Sequence, residues 1–105
     1  MRRLAALLTV LPCLAWAAPD GREIVLHGNA NGAMPCAACH GENGAGNPAT
    51  GAPALAGMPA AQIVAALTSL AKGQSGTPLM QSIAAALSPA EVQAVASYFA
   101  GLPKP

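Results

Sequence analysis

Aromatic residues are scarce in this 105-residue chain, which has one tryptophan, one tyrosine and one phenylalanine. Charged residues are also few, at 9% of the total, and they form no basic stripe. Nucleic acid is therefore not an expected partner, because phosphate contacts require clustered lysine and arginine. The length allows one small domain, and its many alanines bury little apolar area, so we expect a bound group to fill part of the interior.

The first seventeen residues have the composition of an export signal. Two arginines precede the apolar stretch 4–11, which is too short to span a bilayer, and an A-x-A pattern of the kind that signal peptidase recognises ends at Ala17. We predict a cleaved signal peptide over 1–17, a mature domain over 18–105 and a periplasmic location; a retained membrane anchor is the less favoured alternative. Cleavage would leave three bases against four acids, a formal charge of −1.

The remainder of the sequence predicts helices separated by loops rich in glycine and proline, without a strand. The fold class is therefore all-α. The residues 74–78 are predicted to be a loop. The predicted helices are one from Asp20 to Gly28, a short turn at Cys36–His40, one from Pro59 to Gly73, a short one at Gln81–Leu87 and a last one from Ser88 to Gly101.

Two cysteines and a histidine form the pentapeptide Cys36-Ala37-Ala38-Cys39-His40. Thiols at this spacing lie on one helical turn and reach two vinyl groups of one porphyrin, and the imidazole that follows then lies under the iron. The pattern predicts thioether bonds from Cys36 and Cys39 to one covalently bound haem c. His40 is the predicted axial ligand of the iron.

Other uses of the two cysteines fit less well. A redox dithiol of the thioredoxin type requires a βαβ pattern, which the sequence lacks. A structural zinc ion requires four ligands, and outside the predicted signal peptide the cysteines are accompanied only by His27 and His40. No metal other than haem iron is therefore predicted. A disulfide would close a small loop and constrain little of the chain.

From Gly21 to about Leu102 the sequence resembles a class I cytochrome c of the small bacterial monohaem type. The resemblance rests on the cysteine motif and its glycine loop, on Pro53-Ala54-Leu55-Ala56-Gly57, on Pro78-Leu79-Met80 and on Val95-Ala96-Ser97-Tyr98-Phe99. It implies a small cytochrome c fold, with four to five short helices wrapped around one haem.

The resemblance also implies the second axial ligand. Met80 follows a proline in a predicted loop before the penultimate helix, where this family places that ligand. A chain that wraps from one haem face to the other reaches the far face at such a position. Met58 is the first alternative and His27 the second, although a methionine before a helix is more often a flexible core filler.

Further contacts are expected from the same resemblance. The carbonyl of Pro53 is expected to accept the proton of the His40 imidazole. Gln62 stands where relatives often have a tyrosine that contacts the haem propionates, and it retains a hydrogen-bond donor. Val25 stands where the family has an aromatic residue four positions after a glycine. We therefore expect weaker packing between the first and last helices.

Electron transfer is the predicted function. Iron held by His40 and Met80 has no open position for a substrate, so we predict a periplasmic one-electron carrier and not an enzyme. The alternative is a cytochrome c subunit of a dehydrogenase complex that receives electrons from a catalytic partner. A peroxidase-like or gas-binding protein would require Met80 to be absent from the iron. The low charge predicts that redox partners, soluble or membrane-bound, dock through an apolar surface with little dependence on salt.

Overall fold

The computed structural model describes residues 18–105, so the predicted signal peptide lies outside the described residues. No helix within this range is long and apolar enough to cross a membrane. Backbone pairing of the extended type is limited, within the same range, to one antiparallel bridge between Asn47 and Ala52. The all-α prediction is confirmed. The helices are α1 Gly21–His27, α2 Ala37–His40, α3 Ala60–Ala71, α4 Pro78–Ala85 and α5 Pro89–Ala100.

Side-chain caps begin the first and last helices where the sequence predicts them. The Asp20 carboxylate accepts hydrogen bonds from the backbone N–H groups of Arg22 and Glu23, at 3.0 and 3.4 Å. At α5, the Ser88 hydroxyl accepts the N–H of Glu91 at 3.1 Å, and the Glu91 carboxylate accepts the N–H of Ser88 at 2.9 Å. This reciprocal pair satisfies two N–H groups that a helix start would otherwise leave without a partner.

Helix α4 begins earlier than predicted. It starts at Pro78, whereas the sequence placed 74–78 in a loop and began the helix at Gln81. The Thr77 hydroxyl accepts the N–H of Met80 at 3.2 Å. Proline fits the first helical position because the N–H that it lacks would have no partner within the helix. The Thr-Pro pair is thus a start signal of the same kind as Ser88-Pro89. Met80 lies in the first turn of a helix, and its predicted loop position is wrong.

The core lies where α5 meets α1 and α3, and α4 packs on α3. The crossing of α1 with α5 depends on Gly21, because a Cβ atom there would overlap with the carbonyl oxygen of Ala94. Close approach of the backbones buries Val25 and Phe99 completely. The buried apolar residues are Ile24, Val25, Ala33, Ala56, Ile63, Leu67, Ala84, Leu87, Val95, Ala96 and Phe99.

Candidate functional site

The predicted thioether cysteines lie on one turn of helix. Cys36 has helical backbone angles and precedes α2, and its carbonyl accepts the N–H of His40 at 2.9 Å. Both Cys36 and Cys39 are half-buried free thiols. Burial raises the pKa of the Cys36 thiol, and a hydrogen bond from its own backbone opposes that shift. The two thiols and the imidazole are therefore held together by local backbone hydrogen bonds.

The His40 side chain is buried and oriented by a backbone carbonyl. It is 6% exposed, and its Nδ1 lies 2.9 Å from the carbonyl oxygen of Pro53. A carbonyl oxygen can only accept a hydrogen bond, so Nδ1 carries the proton and donates it. The lone pair of Nε2 is then left for a metal. The structure thus brings Pro53 to the ring nitrogen to which the resemblance assigned it.

The loop between His40 and α3 fixes the position of the Pro53 carbonyl. The N–H of Gly46 donates to the carbonyl of His40 at 2.9 Å, and the N–H of Asn47 donates to that of Ala52 at the same distance. Gly46 has a φ of +78°, and a Cβ there would lie 2.7 Å from the carbonyl carbon of Pro53. The sequence predicted irregular structure here, but it contained no sign of this internal hydrogen bonding.

This loop is attached to the end of α5. The N–H of Gly57 donates to the carbonyl of Phe99 at 2.9 Å. Gly44 lies so close to the Phe99 ring that an added Cβ would be 2.9 Å from it. The Tyr98 hydroxyl donates to the carbonyl of Glu42 at 3.1 Å. The orientation of His40 therefore depends, through this loop, on the last helix of the chain.

The methionines of the described residues differ in exposure. Met34 is 45% exposed, whereas Met58 and Met80 are partly buried against the core. The packing of Met58 agrees with its interpretation as a core filler. Met80 lies on α4, which packs against α3, whereas His40 lies on α2, which packs against α1. The two predicted axial ligands therefore come from different parts of the fold.

Gln62, the residue predicted to contact a haem propionate, lies on the surface. Gln62 is exposed in the first turn of α3. Ser75 lies in the connection between α3 and α4. Its hydroxyl lies 3.0 Å from that of Ser69, and its carbonyl accepts a hydrogen bond from the Gln81 amide at 3.1 Å. The Gln62 side-chain amide makes no hydrogen bond with the described residues, and its contact with a propionate stays a prediction.

His27, the distant alternative for the iron, lies on the surface. Its side chain is 68% exposed at the end of α1, 3.8 Å from the Glu23 carboxylate one turn earlier. An exposed i,i+4 pair of this kind contributes about 0.3–0.5 kcal/mol at most. Its position at the surface agrees with the interpretation of His27 as an ordinary exposed residue.

The side chains around α2 fit the chemistry of haem c. Attachment needs two reduced thiols on one helical turn, and ligation needs an imidazole with a free Nε2; Cys36, Cys39 and His40 supply these. Within residues 18–105 there is no cluster of three or more His, Cys, Asp or Glu side chains that would hold a metal ion by themselves. The donor set matches a porphyrin-bound iron better than a metal bound by side chains.

Comparison with known proteins agrees with this chemistry. The sequence model of the family described as "Cytochrome C oxidase, cbb3-type, subunit III" matches residues 23–99. A protein of Stutzerimonas stutzeri (strain A1501), described as a thiosulfate dehydrogenase electron acceptor, is 41% identical over 103 residues. That match covers 97% of this chain and 48% of the relative, so the chain spans about half the length of that relative.

Solved structures have the same fold. A thiosulfate dehydrogenase from Marichromatium purpuratum superposes with a TM-score of 0.76 at 34% identity, covering 80% of this chain and 18% of that one. Reduced recombinant cytochrome c4 from Pseudomonas stutzeri superposes with a TM-score of 0.75, also at 34% identity. The second match covers 82% of this chain and 48% of cytochrome c4. The predicted fold and the resemblance stated from the sequence are both confirmed.

Proposed function

This chain belongs to the class I cytochrome c family, whose members bind haem c covalently, and from this membership we propose that it is a periplasmic one-electron carrier. One observation carries the proposal: a buried histidine with its Nδ1 held 2.9 Å from a carbonyl, next to two free thiols on the same helical turn. In this proposal Cys36 and Cys39 form the thioethers. His40 and Met80 are the axial ligands.

The bound haem supplies one chemical capability, the gain and loss of a single electron at its iron. The protein orients the ligand, since the Pro53 carbonyl fixes both the tautomer and the plane of His40. A ring held in one position before and after electron transfer needs little rearrangement. The second ligand at Met80 leaves no open position for a substrate, so the proposed activity is electron transfer without catalysis.

The described residues carry few charges, and two of their large apolar side chains are exposed. Within residues 18–105 the bases are Arg22, Lys72 and Lys104, and the acids are Asp20, Glu23, Glu42 and Glu91. Leu79 is 51% exposed in the first turn of α4, and Met34 is 45% exposed shortly before Cys36. These features support docking of redox proteins through apolar contacts, with weak electrostatic steering.

The second candidate function is that of a cytochrome c subunit that receives electrons from a dehydrogenase. The relative from S. stutzeri is described as the electron acceptor of a thiosulfate dehydrogenase, and it matches nearly the whole of this chain. A domain of the M. purpuratum dehydrogenase has the same fold. We propose that such an enzyme is one electron donor. The test is to mix oxidised protein with a purified thiosulfate dehydrogenase: reduction of the haem must require both the enzyme and thiosulfate.

Optical spectra test the proposed ligands. Purified protein is expected to show a haem c spectrum in both redox states, together with the weak iron–sulfur charge-transfer band of the oxidised form. Met80→Ala is expected to abolish that band and to allow carbon monoxide to bind the reduced protein rapidly. Met58→Ala and Met34→Ala are the matched controls and should retain the band. Loss of the band in Met58→Ala alone would identify Met58 as the ligand instead.

A further inference from the structure

The side chain of Asn29 forms hydrogen bonds with three separate segments of the chain. Its side-chain oxygen accepts the N–H groups of Asn31 and Ala33, at 3.1 and 2.9 Å. These bonds close the turn that leads into the cysteine motif. An asparagine that bonds backbone groups ahead of it in this way is a common turn former. The sequence placed this residue in a loop and assigned it no role.

The amide nitrogen of the same side chain reaches two distant elements. It donates to the carbonyl of Ala86, at the end of α4, at 2.8 Å. It also lies 3.1 and 3.2 Å from the two carboxylate oxygens of Glu91, at the start of α5. Glu91 in turn completes the reciprocal cap with Ser88. One side chain therefore connects the loop before Cys36 to the junction of α4 and α5.

The start of α4 is capped locally, since the Thr77 hydroxyl accepts the N–H of Met80, and the Met80 side chain packs against the core. The residues 71–79 are all exposed, and both Gly73 and Gly76 have positive φ angles. The side-chain bonds at this end, from Met80 to Thr77 and from Gln81 to the carbonyl of Ser75, join neighbouring residues and are exposed. The far end of α4 is the part that is hydrogen-bonded to the rest of the protein, through Asn29 and Ala86. Since α4 has eight residues, a movement of its far end is transmitted to Met80 in its first turn.

We propose that Asn29 is a positioning residue for the ligand on α4: it couples the loop that enters the cysteine motif to the helix that carries Met80. The inference rests on the proposed ligation by Met80. Asn29 does not contact that side chain. It sets the place of α4 relative to the segment that ends in His40, and so favours the methionine–iron bond over its dissociated state.

Asn29→Asp tests the hydrogen-bond donor of this side chain separately from its acceptor. An aspartate keeps the acceptor oxygen for the backbone of Asn31 and Ala33, but it loses the donor and places a second carboxylate beside Glu91. Adding Glu91→Gln supplies a donor toward the introduced carboxylate and keeps an acceptor for Ser88, because glutamine also serves in a capping box. Asn31→Asp is the matched control, since it adds the same charge to an exposed position in the same loop.

The measurement is the iron–sulfur charge-transfer band of the oxidised protein as the pH is raised. In N29D the midpoint for loss of the band is expected to fall by about one pH unit, a tenfold change in the ligand equilibrium. The N29D/E91Q double variant should recover part of that shift, and N31D should match wild type. If N29D does not fold, the double variant, which lacks the bond to Ala86, is compared directly with wild type and should show a midpoint below that of wild type.

A lower melting temperature in N29D with an unchanged midpoint would overturn the inference, because Asn29 would then be structural only. A double variant no different from N29D, with both below wild type, would assign the coupling to the Ala86 bond alone. If the wild-type protein itself lacks the band, ligation by Met80 fails first and the inference fails with it. A normal wild-type band that N29D leaves unaffected refutes the role of Asn29 alone.

Discussion

At the scale of single residues, Gly46 shows how closely the backbone approaches the candidate site. Its φ of +78° is unfavourable for residues with a side chain, and a Cβ would lie 2.7 Å from the backbone of both Ala52 and Pro53. Gly51 is a natural comparison. Its φ is +77°, but a Cβ there would meet nothing within 4 Å.

Alanine at these two glycines separates conformational strain from collision. Both variants incur the cost of a positive φ, roughly 1–2 kcal/mol. Gly46→Ala must also displace the segment that carries the Pro53 carbonyl, so we expect it to lower the free energy of unfolding by roughly 1–3 kcal/mol more. Thermal unfolding of both variants measures the difference. Equal losses would mean that the loop rearranges freely around position 46.

The same displacement has a consequence for His40. With His40 as the proposed ligand, a weaker hydrogen bond from Nδ1 to Pro53 makes the imidazole a poorer electron donor to iron, so the reduction potential of Gly46→Ala should rise relative to Gly51→Ala. Potentiometric titration of the two variants tests this. Equal reduction potentials in the two variants would show that the loop does not affect the electron donation of His40.

At the scale of elements, the crossing of α1 and α5 determines how the first and last helices meet. A valine at position 25, where the family has an aromatic residue, predicts weaker packing here. The structure shows that Val25 is nevertheless fully buried, since Gly21 lets α1 approach the backbone of α5 closely. The small side chain of Val25 is therefore buried by a close crossing of α1 and α5.

Gly21→Ala tests this crossing, with Gly101→Ala as its control. An added Cβ at Gly21 overlaps with the carbonyl of Ala94, whereas at Gly101 the nearest atom is 3.4 Å away and φ is −81°. We expect Gly21→Ala to destabilise the protein by about 1–3 kcal/mol and Gly101→Ala to be nearly neutral. Chemical denaturation followed by circular dichroism measures both. Similar stabilities would show that the helices separate at little cost.

The cap at the start of α5 introduces a dependence on pH. The backbone hydrogen bond from Ser88 is the main reason that the pKa of Glu91 lies below its ordinary value of 4.5; the Asn29 side chain acts in the same direction, and burial opposes both. A carboxylate with a lowered folded-state pKa adds stability that is complete above the unfolded-state pKa. That stability is lost as the pH falls through the folded-state value.

Glu91→Gln should therefore be less stable than wild type at pH 7, by about 0.3–1 kcal/mol. The difference should shrink as the pH falls from 4.5 toward the lower folded-state pKa, because the unfolded chain then binds a proton at Glu91 before the folded protein does. Thermal unfolding of both proteins between pH 7 and pH 3 measures it. A difference that stays constant across this range would show that the charge of Glu91 contributes nothing.

The boundaries of the elements were predictable where a single residue signals them. Asp20, Gly28 and Ser88 begin or end helices as the sequence indicates. Pro59 precedes α3 as its cap and is not its first residue, a shift of one position. The start of α4 was missed because Thr77-Pro78 is equally compatible with the end of a loop and with a helix cap. Only the bond from Met80 to Thr77 distinguishes the two.

At the scale of the whole molecule, the composition limits how much the protein can gain from its own core. Most of the buried apolar residues have small side chains, namely Ala33, Ala56, Ala84, Ala96, Val25 and Val95. Natural proteins with little buried apolar area often gain additional stabilisation from a cofactor, a metal or disulfides. The covalently bound haem of this family supplies such stabilisation.

The Cys36→Ser/Cys39→Ser variant is therefore expected to lose covalent haem and most of its helical structure. Circular dichroism and a haem-staining gel measure the two effects. Wild-type protein produced without haem attachment is the control, because it separates loss of haem from any effect of serine. A haem-free chain that still melts cooperatively would show that the core is sufficient by itself.

The cysteine motif could be recognised in the sequence because its members are neighbours in the chain. The pairing of His40 with Pro53 came from resemblance to a family, since nothing local announces it. The bond from Asn29 to Glu91 and the contact of Gly44 with Phe99 were not predictable, because they join segments far apart in sequence. Such contacts depend on how the helices pack together. The hydrophobic periodicity of a sequence predicts the helices but not their packing.

The attachment of the histidine loop to Phe99 also bears on the order in which the protein can be assembled. A chain is synthesised from its N-terminus, so Cys36 and His40 emerge well before the helix that completes their surroundings. Until α5 arrives, Gly57 has no carbonyl to bond and α1 has no helix to cross. The two thiols are thus expected to stay accessible until α5 packs against this loop.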